Sequence, residues 1–119
     1  MKILVVEDEP LLAMLLEENL ADLGHETVAT AATVDQALSM LDEIDIDCAL
    51  LDFSLGRDTT SAPVARRLRQ GGKPFTYLSG HASLDEDDDT PDAPLLTKPV
   101  SLDALKSALS AMAPAVRAA

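Results

Sequence analysis

Ile46-Asp47-Cys48-Ala49-Leu50-Leu51-Asp52 is a short apolar run that ends in a carboxylate. It reads as a strand buried on both faces, with its last residue, Asp52, emerging at the lip of a sheet. A charge placed directly after Cys48-Ala49-Leu50-Leu51 is costly unless something there uses it. The rest of the chain is read outward from that residue.

Upstream, Ile3-Leu4-Val5-Val6 is a second continuous apolar run, rich in β-branched residues, and predicts another buried strand. It ends in Glu7-Asp8-Glu9-Pro10. Pro10 suits the first turn of a helix, and acidic residues before it suit the positive end of that helix. Leu12, Leu15, Leu16, Leu20 and Leu23 follow at helical spacing, and Gly24 supplies the stop. Residues 25–30 read as a more polar strand near an edge. Thr33 can cap a helix with Val34, Ala37, Leu38 and Leu41 on one face.

Downstream of Asp52, residues 53–60 form a loop, and Val64, Ala65 and Leu68 mark a third helix that Gly71-Gly72 ends. Residues 73–80 read as a fourth strand. The stretch from Ala82 to Pro94 holds one large apolar residue, Leu84, with Asp85-Glu86-Asp87-Asp88-Asp89 and two prolines, so a loop with at most a turn or two of helix is expected. Leu95-Leu96-Thr97 is a short fifth strand leading into Lys98-Pro99. Ser101 can cap a last helix carrying Leu102, Leu105, Leu109, Met112 and Val116, which is expected to fray near Pro114. Strands alternating with helices predict an α/β fold, a parallel sheet covered on both faces. Ligands of such sheets bind beyond the carboxyl ends of the strands.

Composition narrows the class. The 119 residues suit one domain, 1–119, with no internal linker or repeat. There is no tryptophan, and aromatics are 3% of the chain, so the core is built from Leu, Val, Ile and Ala. A net charge of −12 argues against nucleic acid and anionic membranes as direct partners. One cysteine, Cys48, cannot form an intramolecular disulfide and reads as a buried structural thiol, which fits a reducing cytoplasm. Glu7-Asp8-Glu9 interrupts the first apolar run too early for a signal peptide, and no run reaches membrane-spanning length.

The carboxyl ends of the expected strands then form a set. Glu7 and Asp8 stand after the first strand, Asp52 after the third, Ser79 after the fourth and Lys98 after the fifth. Three carboxylates close together repel. A hard divalent cation such as Mg²⁺, which takes oxygen ligands, resolves the repulsion. Three carboxylates, one ammonium and one dication are then neutral. An incoming phosphoryl group would meet the metal on one side and Lys98 on the other, with Ser79 on a third oxygen. Asp52 would be the in-line nucleophile.

With these residues the sequence resembles the receiver domain of bacterial two-component response regulators along essentially its whole length. The resemblance implies a flavodoxin-like, CheY-like doubly wound sheet of five parallel strands in the order 2-1-3-4-5. It implies that Asp8 and Asp52 ligate Mg²⁺ with help from Glu7, and that the backbone carbonyl of Ser54 is a further ligand. It also implies that Ser79 is the switch hydroxyl, that Lys98 pairs with the phosphoryl group, and that the Lys98–Pro99 bond is cis. Two positions depart from the family pattern. The loop after Asp52 reads Leu55-Gly56 where Met-Pro is common, and Leu95 stands where an aromatic switch residue is usual. Residues 74–80, Pro-Phe-Thr-Tyr-Leu-Ser-Gly, are similar to the Pro-Phe-x-Phe-Ala-Thr-Gly signature of the alphaproteobacterial "FAT GUY" receivers, which also tend to lack that aromatic and a regular fourth helix. A reduced or absent fourth helix is therefore expected here.

By this resemblance the chain is a cytoplasmic phosphoacceptor rather than an enzyme acting on a separate substrate. Its partners are a sensor histidine kinase or histidine phosphotransfer protein and a downstream protein target, and it is a monomer or weak homodimer. Phosphoryl transfer and autodephosphorylation are self-catalysed, no output domain is expected, and signalling is by docking or relay. A receiver excised from a longer regulator reads the same. Two other readings stand beside it. One is a degenerate receiver that is never phosphorylated, against which the intact Asp8, Asp52, Ser79 and Lys98 speak. The other is an aspartate-nucleophile, Mg²⁺-dependent phosphohydrolase, which wants Asp-x-Asp where this chain has Asp8-Glu9-Pro10. An electron carrier of the flavodoxin type lacks its phosphate-cradling loop here. The run Asp85 to Asp89 reads as a solvated acidic loop, His25 and His81 as surface residues, and Arg66, Arg67 and Arg69 as a solvated basic face.

Overall fold

The computed structural model describes residues 1–56, 59–80 and 90–118. In chain order the elements are β1 (Lys2–Val6), α1 (Pro10–Asp22), β2 (Glu26–Ala31), α2 (Val34–Glu43), β3 (Cys48–Asp52), α3 (Ala62–Gln70), β4 (Phe75–Ser79), β5 (Leu95–Thr97) and α4 (Leu102–Ala118). The strands form one sheet in the order β2-β1-β3-β4-β5, with every pair parallel. This is the flavodoxin-like, CheY-like doubly wound fold expected from the sequence. Residues 90–94 carry no helix. Residues 81–89, where the reduced fourth helix, the acidic loop and His81 were expected, lie outside the described residues.

Strand alternation builds two cores from one sheet. Leu4, Val6, Ala49 and Leu51 face Ala37 of α2 and Val64, Ala65 and Leu68 of α3. Ile3, Val5, Cys48 and Leu50 face Leu16 and Leu20 of α1 and Leu105, Leu109 and Met112 of α4. β1, β3 and β4 are the central strands, and β3 and β4 are buried throughout. Burial pushes the Cys48 thiol up to about 12, the inert structural thiol its position implied.

The helix signals are confirmed atom by atom. Gly24 (φ +87°) and Gly72 (φ +70°) each take the left-handed conformation that an L side chain resists. Each sits in the same pair of bonds. Gly24 N–H donates to Ala21 O and His25 N–H to Leu20 O; Gly72 N–H donates to Arg69 O and Lys73 N–H to Leu68 O. Because Lys73 is used in that turn and Pro74 has no N–H, β4 starts at Phe75 rather than at residue 73. Gln36 N–H donates to Thr33 Oγ1 at 3.1 Å, and the Gln36 side chain accepts from Ala32 N–H at 2.9 Å. Thr33→Ala should therefore cost about 1 kcal/mol in urea unfolding, and a loss of only a few tenths would show the cap to be idle.

Two expectations are corrected. α4 does not fray at Pro114 but runs through it to Ala118. Pro114 lies on the exposed side, and Val116, one turn of apolar spacing after Met112, packs against the core and keeps the last turn down. The basic stretch of α3 is not merely a solvated face. Arg67 pairs with Asp42 of α2, an exposed contact worth under about 1 kcal/mol. Arg69 stacks over the Phe75 ring at 5.5 Å and donates to the Asp92 carbonyl, tying α3 to the segment before β5.

Candidate metal and phosphoryl centre

β1 and β3 are hydrogen-bonded neighbours, with Val6 opposite Leu51. Glu7 and Asp52 are therefore the next residues on adjacent strands, and both leave the sheet at its carboxyl end. Glu7 N–H donates to Ala31 O at 2.9 Å, continuing the β1 ladder one residue past the strand. The Glu7 side chain is fully buried, Asp52 is buried and Asp8 is exposed. One carboxylate oxygen from each of Glu7, Asp8 and Asp52 lies within 4.8 Å of the others. An all-oxygen set with one residue open to solvent fits a hard cation that keeps several waters.

Lys98 reaches this group from the far side of the sheet. Its N–H donates to Ser79 O at 2.7 Å, which fixes the segment after β5, and the Lys98–Pro99 bond is cis as expected. Its Nζ donates to Glu7 Oε2 at 3.0 Å and to Asp52 Oδ2 at 2.8 Å. One ammonium thus bridges two buried carboxylates from residues 91 and 46 positions away. Burial works against the Lys98 charge, yet the hydrogen bonds to Asp52 and Glu7 outweigh it and hold its pKa above the usual lysine value. Its contribution to stability is complete at neutral pH and is lost as pH rises from 10.5, the ordinary lysine value, through that raised value.

The Glu7 pKa is raised as well, with the opposite consequence for stability. Burial raises its carboxyl above the ordinary carboxylate range; the bond from Lys98 opposes this and the charge of Asp52 adds to it. The unfolded chain releases this proton at lower pH than the folded one. Glu7 therefore removes stability as pH rises from 4.5, its ordinary value, through its raised value in the fold. In metal-free urea titrations, the wild-type stability minus that of Glu7→Gln should fall across that window. A flat or rising difference would overturn this account.

Ser79 ends β4 and is buried, one step beyond Leu78, which stands opposite Asp52 in the register. Ser54 is exposed, two residues past Asp52, and forms an isolated antiparallel bridge with Thr60. Leu55 N–H to Thr59 O and Ser61 N–H to Phe53 O, both at 2.9 Å, close the same loop. Glu7, Asp8, Asp52, Ser54, Ser79 and Lys98 thus stand at the carboxyl edge. Direct contact joins Lys98 to Glu7 and Asp52, and Asp8 lies within ligand reach of both carboxylates.

Two features were not read from the sequence. Leu95, at the position without its aromatic, pairs in register with Tyr77. The Tyr77 ring meets Phe53 and Phe75 edge-on, each at 5.5 Å, and its hydroxyl donates to Pro91 O at 2.8 Å. The signal was Tyr77 itself, a hydroxylated ring where the similar signature has Phe. The second is an apolar lip. Leu11, Met14 and Leu15 on α1 are 80%, 56% and 51% exposed, and Leu15 lines a groove of about 290 Å³ with Leu12, Leu16, Leu78, Val100, Glu7 and Lys98. Helical spacing alone does not tell which α1 leucines are buried, and the helix carries more of them than one face can bury.

A family model described as the response regulator receiver domain matches residues 3–110. The chain is 34% identical to the sensor histidine kinase RcsC of Salmonella typhi, over 98% of its own length and 13% of that protein's. It is also 34% identical to the transcriptional regulatory protein TcrA of Mycobacterium tuberculosis, over 93% of its length and 45% of that protein's. The chain thus spans less than half of these curated relatives. Among solved structures it is similar to SdrG from Sphingomonas melonis Fr1, with 39% identity, a TM-score of 0.82, and 95% of this chain and 96% of that one covered. The receiver domain of the Erythrobacter litoralis response regulator PhyR gives 28% identity and a TM-score of 0.82, covering 94% and 88%. Such neighbours are consistent with the resemblance to the FAT GUY receivers.

Proposed function

The chain belongs to the response regulator receiver domain family, and we propose that it takes a phosphoryl group from a phosphohistidine onto Asp52. The observation that carries this reading is the pairing of Asp52 with Lys98 at 2.8 Å inside a group of three carboxylates whose oxygens lie within 4.8 Å. The free Asp52 oxygen attacks phosphorus in line. The P–N bond to the donor imidazole breaks, and its electron pair returns to the ring nitrogen. Lys98 turns from Asp52 Oδ2 toward a phosphoryl oxygen, and Ser79 donates its hydroxyl to another. Bound to Glu7, Asp8, Asp52 and the Ser54 carbonyl, Mg²⁺ would neutralise charge on the phosphoryl oxygens. Water later attacks the phosphorus, the P–O bond to Asp52 breaks, and inorganic phosphate leaves with Asp52 restored as a carboxylate.

The donor is a sensor kinase or phosphotransfer protein. The exposed Leu15, which lines a groove with Glu7 and Lys98, and Leu11 one turn before it offer it an apolar landing surface. The phosphorylated domain then signals by docking to a protein target or by relay, through a shift between two surface states. Incubation with acetyl phosphate and Mg²⁺ should add one phosphoryl group by intact mass, and chelation should prevent it. If neither an adduct nor released inorganic phosphate appears where an authentic receiver is labelled, the phosphoacceptor reading fails.

A further inference from the structure

At the opposite end of the sheet from Asp52, a groove of about 400 Å³ runs between the end of α1 and one face of α4. Its floor is apolar: Leu109 is buried, and Leu23 and Val116 are half-buried against the core. Its walls carry Lys106, Arg117 and His25, and among the described residues no carboxylate side chain lines it. In a chain with 21 acidic and 9 basic residues, that is a local reversal of sign.

Most of the other described basic side chains are already engaged. Arg67, Lys73 and Lys98 are in ion pairs, Arg69 is hydrogen-bonded, and Arg66 has a partner too. Among the described residues, the side chains of Lys106 and Arg117, like that of Lys2 outside the groove, make neither an ion pair nor a hydrogen bond. They are eleven positions apart on α4, three helical turns, so they stand on one face about 16 Å apart.

We propose that this groove docks an acidic amphipathic helix of a partner protein, with leucine-like side chains on the apolar floor and carboxylates about three turns apart on Lys106 and Arg117. The spacing decides the class. A compact anion cannot reach both cations, and it would leave the floor uncovered. A nucleic acid or anionic membrane brings extended negative charge against a protein of net charge −12. A short helix brings only the carboxylates that the two cations can meet, plus an apolar stripe for the floor. Strands of five residues separate the groove from Asp52 by about 17 Å, so a phosphodonor and this partner can be bound at once. Docking here does not depend on phosphorylation.

The probe is a labelled helical peptide of about 14 residues, with leucines at i, i+3, i+4 and i+7 and glutamates on the flanks. It is titrated into the full chain while amide NMR shifts are followed. Saturable binding is expected, with shifts at Leu23, His25, Leu109 and Val116. Lys106→Glu with Arg117→Glu should weaken it by at least about 10-fold, and Lys106→Gln with Arg117→Gln should weaken it less. Both variants should still be labelled by acetyl phosphate as wild type is, and Asp52→Asn should bind the peptide as wild type does. Loss of phosphoryl labelling thus cannot be mistaken for loss of docking. Four results would each overturn the proposal: no saturation, equal binding by the charge-reversed variant, shifts confined to Leu11 and Leu15, or the same shifts from citrate or inorganic phosphate. Groove shifts that move with protein concentration alone would assign the groove to a second copy of the chain, and would overturn it as well.

Discussion

Asp52→Asn gives a folded protein that acetyl phosphate and Mg²⁺ do not label at all. The amide nitrogen cannot attack phosphorus, and the substituted oxygen carries no charge to lend. The change also removes one of two buried carboxylates that share Lys98, whose remaining partner is Glu7 at 3.0 Å. Burial raises the Glu7 carboxyl and the Asp52 charge adds to the effect. Without that charge the Glu7 carboxyl should titrate closer to its ordinary range, which carbon NMR of the side chain can follow. The two readouts separate the roles. Labelling that persists in Asp52→Asn would place the phosphoryl group elsewhere. An unmoved Glu7 titration would mean that burial alone sets its proton affinity.

Lys98→Ala should be the most damaging single change to the resting protein. It leaves Glu7, whose side chain is fully buried, and Asp52, whose side chain is 8% exposed, facing each other with no cation between them. Breaking such a pair from one side costs about 3 kcal/mol, largely the cost of leaving buried charge uncompensated. Labelling by acetyl phosphate should fall by about 100-fold, since a donor aimed at the phosphoryl oxygens is gone. Lys98→Arg keeps the charge and should recover most of the stability but little of the labelling, because the wider guanidinium cannot turn in the same space. Urea midpoints and phosphorylation rates of the two variants check this. If Lys98→Ala unfolds at the wild-type midpoint, the ion pairs contribute nothing and the cluster is held by packing alone.

The sequence was most legible where one residue carries one physical constraint. Gly24 and Gly72 end helices because only they take the left-handed turn without strain, and Thr33 and Ser101 cap because their oxygens reach the free amides. The site was legible because its members sit at the ends of apolar runs, where a charge is conspicuous. What stayed hidden depends on distance in space. Nothing local to Lys98 says that it bridges Glu7, 91 positions away. Nothing in the basic stretch of α3 says that Arg69 will lie on Phe75. Pro114 read as a helix end because local propensity is unfavourable there, and the packing of Val116 overrides it.

The edge-on cluster of Phe53, Tyr77 and Phe75 has a practical consequence. The chain holds one tyrosine and no tryptophan, so its fluorescence excited beyond the weak phenylalanine band comes from Tyr77. That fluorophore is sealed in the core, with its hydroxyl on Pro91 O and its ring against the residue that follows Asp52. Its emission is therefore a single-site optical signal, free of background from other residues. A rearrangement of the loop after Asp52 can be followed in real time on the unmodified protein, with no dye attached and no residue replaced.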